Sequence, residues 1–393
     1  MKSCICCGRR KPDEEYSDEH IWPDALGGDY LPSLWRTDDV CQQCNCLSGL
    51  YVDGAFIKSW AGAAERSMGA REYLNRTGLG NAVLPLDFLG CLPEMPVSDD
   101  EVAEYWAGPC GANIVHIRPA DKDDHWSAYA GGDPRARKLA AGRAYLALTS
   151  EHPFWIAVSL NSFKAHFRKA QRFVTNAAVP QEWSNLLQEP DPNDPVQARD
   201  LEVMAAVQNA AEPGQPPLLC RTTTKLDLGT RLLAKLALAM GYKVFGNAFC
   251  GTNYASSLRH GLWERDPDAR KVIPVYGSGY LNDNVRFDLG PLCWPGGWVL
   301  LLKETGAGLC LSVFTPSGRA IHVLVSNDPG VLGTLDPMYK EGGVWLTVPA
   351  CGTGLGPIWL PDYLAHRLGT ISHPELAALA SKRSSPAQLP PCK

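Results

Sequence analysis

The alternation of apolar and polar positions predicts a run of strands between residues 298 and 348. Four apolar segments of strand length, separated by turn residues, cover residues 298–303, 308–314, 320–325 and 344–348. Pro316, Ser317 and Gly318 lie between the second and third segments and favour the turn of a hairpin. We therefore expect a β-sheet in this part of the chain.

Helical patterns are strongest just before these strands. Residues 228–240 are rich in leucine and alanine, and Gly241 follows them as a candidate left-handed C-cap. Residues 253–263 form a second helical pattern. Weaker patterns predict helices over 47–68, 134–149, 162–175 and 200–211, and strands over 112–117 and 154–160.

Composition divides the chain into segments. A dense set of cysteines marks residues 1–60, and two stretches rich in proline flank the short helical pattern at 200–211. We expect a cysteine module at 1–60, a mixed α/β lobe at 61–185, a surface connection at 186–217, a second mixed lobe at 218–375 and a tail at 376–393. The expected fold class is α+β, with a small N-terminal module and a larger mixed body of one or two lobes.

The overall composition is typical of a soluble globular protein. Hydrophobic residues make up 45% and charged residues 20% of the chain, and the strongest apolar run, 297–302, is too short to cross a bilayer. The first residues lack the apolar segment of a signal peptide. We expect a cytoplasmic protein that does not bind a membrane.

The cysteines indicate a metal site. Six of the 14 lie within the first 46 residues, while the other eight are scattered and read as buried apolar residues, with Cys392 as a free thiol in the tail. Cys4 and Cys7, like Cys41 and Cys44, are separated by two residues, which lets both sulfurs of a pair face one tetrahedral Zn²⁺ ion. Cys6 could replace a member of the first pair, but Gly8 favours a tight turn directly after Cys7.

A further motif lies between the cysteine pairs. It reads Glu19-His20-Ile21-Trp22-Pro23, then Leu26-Gly27-Gly28, and Asn45 follows the last cysteine directly, with Gly49 beyond it. With the two C-x2-C pairs, this order resembles the HNH endonuclease family, the ββα-metal nucleases, in the zinc-stapled subtype, over residues 4–58. The resemblance implies a ββα-metal module with a structural Zn²⁺ and a catalytic Mg²⁺ or Mn²⁺. It also implies His20 as the general base, and Glu19 and Asn45 as ligands of the catalytic ion.

The chemistry of phosphodiester cleavage suits these residue types. A histidine can take the proton of the attacking water near neutral pH, and a hard divalent ion with oxygen ligands can stabilise the charge on the phosphate. One member of the family pattern is absent, because no asparagine precedes the second cysteine pair to orient the histidine. A backbone carbonyl, Thr37 or Asp38 is the expected substitute.

The charge distribution argues against strong DNA capture by the module itself. The chain has a net charge of −5, and residues 1–60 contain more acidic than basic side chains. The predicted helix over 162–175 offers Lys164, Arg168 and Arg172 as candidate nucleic-acid contacts, although a solvated basic face is the simpler explanation of these residues. Arg231 and Lys235 share a face of the later helix and form another basic pair.

The sequence therefore predicts a metal-dependent endonuclease that hydrolyses phosphodiester bonds in DNA. Its acidic module suggests that cleavage depends on a partner, a homo-oligomer or an activating signal, as in a guarded defence nuclease. Two alternatives stay open. One is a zinc-binding recognition module without catalysis, and the other is a nuclease directed at RNA.

Overall fold

The structure is a computed structural model that describes residues 2–74, 83–136, 142–176, 195–211, 218–278, 289–384 and 389–392. Among these residues, the chain forms two compact units. The first contains Met1–Ile57, Met68–Tyr73 and Lys225–Arg383, and the second contains Lys58–Ser67, Leu74–Thr224 and Ser384–Lys393. The N-terminal module thus shares a unit with the segment from Lys225 onward, whereas the sequence suggested separate segments at 1–60 and 218–375.

Both units contain strands and helices. The strands are β1 (Lys2–Ser3), β2 (Arg10–Lys11), β3 (Tyr16–His20), β4 (Arg36–Cys41), β5 (Asp87–Cys91), β6 (Glu101–Ala107), β7 (Asn113–Pro119), β8 (Arg143–Ala147), β9 (Arg172–Thr175), β10 (Gly277–Ser278), β11 (Trp298–Thr305), β12 (Gly308–Phe314), β13 (Ala320–Ser326), β14 (Gly343–Val348) and β15 (Thr353–Trp359). The helices are α1 (Gln42–Ser48), α2 (Gly54–Ile57), α3 (Trp60–Glu72), α4 (Pro153–His166), α5 (Pro195–Ala211), α6 (Leu226–Phe245), α7 (Asn247–Cys250), α8 (Asn253–Trp263), α9 (Pro267–Lys271), α10 (Pro329–Leu332), α11 (Pro337–Glu341), α12 (Leu360–Arg367) and α13 (Pro374–Ala380). This architecture confirms the predicted α+β class.

A six-stranded antiparallel sheet organises the first unit, in the order β10-β13-β12-β11-β14-β15. Its central strand β11 is apolar at successive positions because both faces are covered. Trp298 and Leu300 face a core that includes α6 and the N-terminal module, whereas Val299 and Leu301 face a second core with Tyr363 of α12. The predicted strands at 298–348 and the hairpin turn are confirmed.

The N-terminal module is built into this first core. Trp22 packs against Trp298 with ring centroids 5.2 Å apart, and Trp35 packs edge-on against Trp345 at 5.4 Å. Arg259 of α8 donates to the carbonyl of Ile5 at 2.8 Å. The module therefore completes its hydrophobic core with residues from β11, β14 and the helices after residue 225.

The second unit contains a five-stranded sheet in the order β5-β6-β7-β8-β9, antiparallel except for the parallel pair β8–β9. Val203, Met204 and Val207 of α5 pack into one of its cores. Helix α5 confirms the helical pattern at 200–211. It belongs to this unit, and the flanking parts of the predicted connection, 186–194 and 212–217, lie outside the described residues.

Several local predictions were wrong. Residues 154–160 are helical within α4 rather than extended, and 162–175 splits into the end of α4 and strand β9. The predicted helix at 134–149 includes strand β8, while 137–141 lie outside the described residues. Helix α6 does not stop at Gly241 but continues to Phe245, and a Cβ at Gly241 would lie only 2.4 Å from the ring of Phe249.

The tail prediction also needs correction. Cys392 is not a free thiol but forms a disulfide with Cys110, and Trp155 Nε1 donates to the carbonyl of Pro390 at 2.9 Å. These contacts fix the described tail residues 389–392 to the second unit. Within the described ranges, no helix is long and apolar enough to cross a membrane.

Candidate active site

The four predicted zinc ligands converge in the structure. The sulfur atoms of Cys4, Cys7, Cys41 and Cys44 all lie within 4.8 Å of one another. Thiolates that bind one tetrahedral Zn²⁺ at about 2.3 Å lie about 3.8 Å apart, so a modest contraction would close this set on an ion. The donor chemistry and the spacing fit a structural zinc site.

Local backbone geometry prepares these sulfurs. Gly8 adopts a φ of +69°, and its N–H donates to the carbonyl of Cys4 at 2.7 Å, which closes the tight turn around Cys7. The N–H of Cys41 points at the sulfur of Cys4 at 3.4 Å. Hydrogen bonds from Cys44 and Cys6 lower the pKa of Cys4, whereas the same Cys4 interaction raises the pKa of Cys44. A bound cation would remove this competition by stabilising every ligand as a thiolate.

Cys6 and Cys46 stay outside the cluster. Cys6 is buried and its carbonyl accepts the indole N–H of Trp263 at 2.9 Å, while Cys46 is exposed on α1. The cluster in the structure contains Cys4 and Cys7 together with Cys41 and Cys44, and the role of these residues as zinc ligands stays a prediction.

His20 ends strand β3 at the surface of the module. β3 pairs with β4 in antiparallel register, with His20 opposite Arg36, and a bulge lies between Ser17 and Glu19. The side chain of His20 is 24% exposed. The chain then turns inward, because Trp22 is fully buried and its indole donates to the carbonyl of Leu26 at 3.0 Å. The imidazole is therefore accessible on a rigidly packed segment.

Asp29 orients the imidazole. Its Oδ1 lies 2.8 Å from His20 Nε2, and the Arg36 guanidinium donates to the same oxygen at 2.9 Å and to the Asp29 carbonyl at 2.7 Å. A hydrogen bond from Asp24, with a second from His20, lowers the pKa of Asp29 and keeps it ionised. The metal-binding atoms of His20, Asp24 and Asp29 all lie within 4.8 Å of one another.

Asp29 was not among the residues predicted from the sequence. The residues suggested for the orienting role have other partners, because Thr37 Oγ1 accepts the N–H of Asp39 and Asp38 pairs with Lys2. A signal was present, since Asp29 directly follows the Leu26-Gly27-Gly28 element of the motif. The turn after those glycines carries its carboxylate to the histidine.

Glu19 faces the opposite side of β3 from the imidazole. It is 5% exposed, and its Oε1 lies 2.7 Å from Nζ of Lys235 on α6. The same ammonium lies 2.7 Å from Asp53 Oδ2, at the end of a π-helical turn, Gly49–Asp53, that follows α1. Burial raises the pKa of Glu19 despite Lys235. Burial alone would lower the pKa of Lys235, but the charges of Asp53 and Glu19 outweigh it and raise that pKa to about 12.

Asn45 joins helix α1 to strand β3. Its side-chain amide donates to Ser17 Oγ and to the carbonyl of Asp18, both at 2.9 Å. The two residues expected to bind a catalytic ion therefore have different partners, Lys235 for Glu19 and the β3 segment for Asn45. The amide oxygen of Asn45 is its remaining metal-binding atom.

The predicted nucleic-acid contacts lie on three different segments of the second unit. Lys164 is exposed in the last turn of α4, and Arg168 is exposed after that helix. Arg172 begins β9 and pairs with Asp200 of α5. The three basic residues therefore do not lie along one helix, as the predicted helix over 162–175 would require. Arg231 and Lys235, the other basic pair, are both buried in the first unit.

The comparison with known proteins bears on the N-terminal module. Residues 4–61 match the HNH endonuclease family. The match covers the four-cysteine cluster, β3, β4, α1 and Asp53, confirms the resemblance at the N-terminus and supports a nuclease of the HNH type. Neither the curated proteins nor the solved structures contain a match to the chain.

Proposed function

We propose that the chain is an endonuclease that hydrolyses phosphodiester bonds in DNA with His20 as its general base. The observation that carries the proposal is the accessible imidazole at the end of β3, held by Asp29 at 2.8 Å within the segment that matches the HNH endonuclease family. A histidine oriented by a carboxylate is a common arrangement for proton abstraction from water.

The contact with Asp29 defines which nitrogen acts as the base. With a carboxylate at Nε2, the neutral ring carries its proton on Nε2 and its lone pair on Nδ1. Nδ1 takes a proton from water as the water oxygen bonds to phosphorus and the ester oxygen leaves with its bonding pair. The positive charge that develops on the ring is stabilised by the ionised Asp29, which Arg36 holds in place.

A divalent ion, Mg²⁺ or Mn²⁺, belongs to the proposal because HNH nucleases generally use one. Such an ion would stabilise charge on the phosphate and on the leaving oxygen. The amide oxygen of Asn45 fits as a ligand. Glu19 does not fit in the arrangement described, because its carboxylate is buried and paired with Lys235. A catalytic ion held jointly by Glu19 and Asn45 is therefore not part of the proposed mechanism.

A cleavage assay tests the proposal. Full-length, zinc-loaded protein is incubated with supercoiled plasmid and Mg²⁺ or Mn²⁺, and His20→Ala is compared with His260→Ala, which removes an exposed histidine paired with Glu264 on α8. We expect nicking by the wild type and by His260→Ala, and its loss in His20→Ala. Equal activity in all three proteins, or none in any, would favour a zinc-binding module without catalysis. Preferential cleavage of a matched RNA would redirect the activity to RNA.

We also propose that cleavage is conditional on a partner, an oligomer or an activating signal. The support for this is the excess of acidic over basic residues in the first 60, which weakens attraction to the phosphate backbone. We expect slow cleavage by the purified monomer at physiological salt and faster cleavage with a partner, an oligomer or an activating signal. Rapid cleavage by the monomer alone would refute this part.

A further inference from the structure

A buried lysine from outside the matched segment contacts the module beside the candidate base. Lys235 lies in the middle of α6, among residues from Arg231 to Gly241 that are all buried, and it is 3% exposed. A buried ammonium is stable only when charged or polar groups surround it. Here Glu19 and Asp53, each at 2.7 Å, provide that compensation.

The three groups join separate parts of the nuclease module. Glu19 belongs to β3 and directly precedes His20, whereas Asp53 ends the π-helical turn that follows α1. Lys235 therefore ties the strand that carries the base to the helical arm that carries Asn45. Two carboxylates face this one ammonium, and Oδ1 of Asp53 is buried and accepts no hydrogen bond from the described residues.

We propose that Lys235 is a positioning residue of the nuclease site and acts as a built-in cation for Glu19. Its ammonium occupies the place at Glu19 that the family resemblance gives to a divalent ion. Glu19 is then not a metal ligand; it anchors the end of β3, and with it His20, to α6 and Asp53. A catalytic ion would be bound by other donors, such as the amide oxygen of Asn45. This inference rests on the proposed function, but its test does not need cleavage.

The decisive experiment measures Mn²⁺ binding to the full-length, zinc-loaded protein by electron paramagnetic resonance. Glu19→Gln keeps the shape of the side chain and leaves the Lys235–Asp53 pair intact. We expect Mn²⁺ affinity to change by less than about twofold, because even an outer-shell residue of a metal site commonly accounts for about 10–100-fold in affinity. A loss of tenfold or more in Glu19→Gln would make Glu19 a ligand and overturn the proposal.

A second variant tests the replacement directly. Lys235→Met leaves two carboxylates facing each other without their ammonium, and we expect one additional Mn²⁺ per chain, which the double variant Lys235→Met/Glu19→Gln should lack. A folded Lys235→Met protein that gains no ion would contradict the proposal. If Lys235→Met does not fold, Glu19→Gln alone decides.

The kinetic constants of cleavage provide a further measurement, which a purely structural role of Lys235 would not change in the same way. Lys235→Met should lower kcat with little change in KM, and Lys235→Arg should restore part of the rate. A protein that cleaves no substrate would refute the proposed function, whereas the Mn²⁺ result would still decide the role of Lys235.

Discussion

Gly27 offers a sharp test of how the module is attached to the sheet. It adopts a left-handed conformation with φ +92° and ψ 22°, and its carbonyl accepts a hydrogen bond from the buried Thr347 Oγ1 at 3.0 Å. A Cβ at this position would lie 2.1 Å from Thr347 Oγ1 and 3.1 Å from Pro349 Cγ. Because Thr347 is β-branched and fully buried on β14, its side chain cannot change rotamer to avoid the clash without a substantial cost in free energy.

Gly27→Ala therefore combines two costs. The left-handed backbone costs a residue with a Cβ about 1–2 kcal/mol. Displacing Thr347 and breaking its buried hydrogen bond costs about 1–3 kcal/mol more. Gly318→Ala is a matched control, because Gly318 has a similar φ of +87° but nothing within 4 Å of its Cβ position. We expect Gly318→Ala to lower the free energy of unfolding only by the cost of the left-handed backbone.

Urea unfolding followed by tryptophan fluorescence measures both variants, with zinc present throughout. Gly27→Ala should also reduce plasmid cleavage, because Asp29 lies two residues further along the same turn, whereas Gly318→Ala should leave cleavage unchanged. Equal losses of unfolding free energy in the two variants would refute the reasoning, since they would show that the module's turn is not packed against Thr347.

Three further predictions concern the site. Cys41→Ser should abolish stoichiometric zinc binding, whereas Cys46→Ser should retain it, as measured by metal analysis after dialysis. Asp29→Asn should lower the cleavage rate, and Asp38→Asn, a surface change, should not; the opposite order would return the orienting role to Asp38. Lys235→Met should lower the unfolding free energy by about 3–5 kcal/mol at pH 7, because it leaves buried carboxylates without their partner. The pKa of Lys235 is raised to about 12 in the folded state, so the stability that the charged lysine contributes is complete below the unfolded pKa of about 10.4 and is lost as the pH rises toward 12. A Lys235→Met protein as stable as the wild type at pH 7 would contradict this prediction.

The sequence predicted the elements whose pattern is local. The strands from β11 to β14 were recognisable because each is a short apolar run bounded by turn residues. The zinc cluster was recognisable because ligand spacing within each pair is encoded over four residues, and Gly8 marks the turn.

Two helical elements were mispredicted from residue composition alone. Residues 154–160 contain aromatic and β-branched side chains that favour a strand, but Pro153 begins a helix there and the His152 side chain caps it by accepting the N–H of Phe154. Gly241 resembled a helix end, yet it lies inside α6, where the absence of a side chain leaves space for Phe249.

The candidate site divides in the same way. His20 and the cysteines were predicted from the motif, whereas Asp29 was not, because its contact with His20 depends on the turn geometry of the glycines. In the sequence, Lys235 resembled a basic residue on the surface of a helix. Its partners Glu19 and Asp53 are remote in sequence, so only the folded chain shows that it is buried between them.

The shared core of the first unit has a consequence for biosynthesis. Trp35 leaves the ribosome early, but its partner Trp345 follows about 310 residues later, which takes roughly 15–60 s at usual translation rates. During that interval, a nascent chain has the cysteines and His20 but lacks Lys235 for part of the time and β14 for nearly all of it. The cysteines of the motif are present early, whereas the packed site forms late, so a prematurely terminated chain would carry the motif of the module without its finished site.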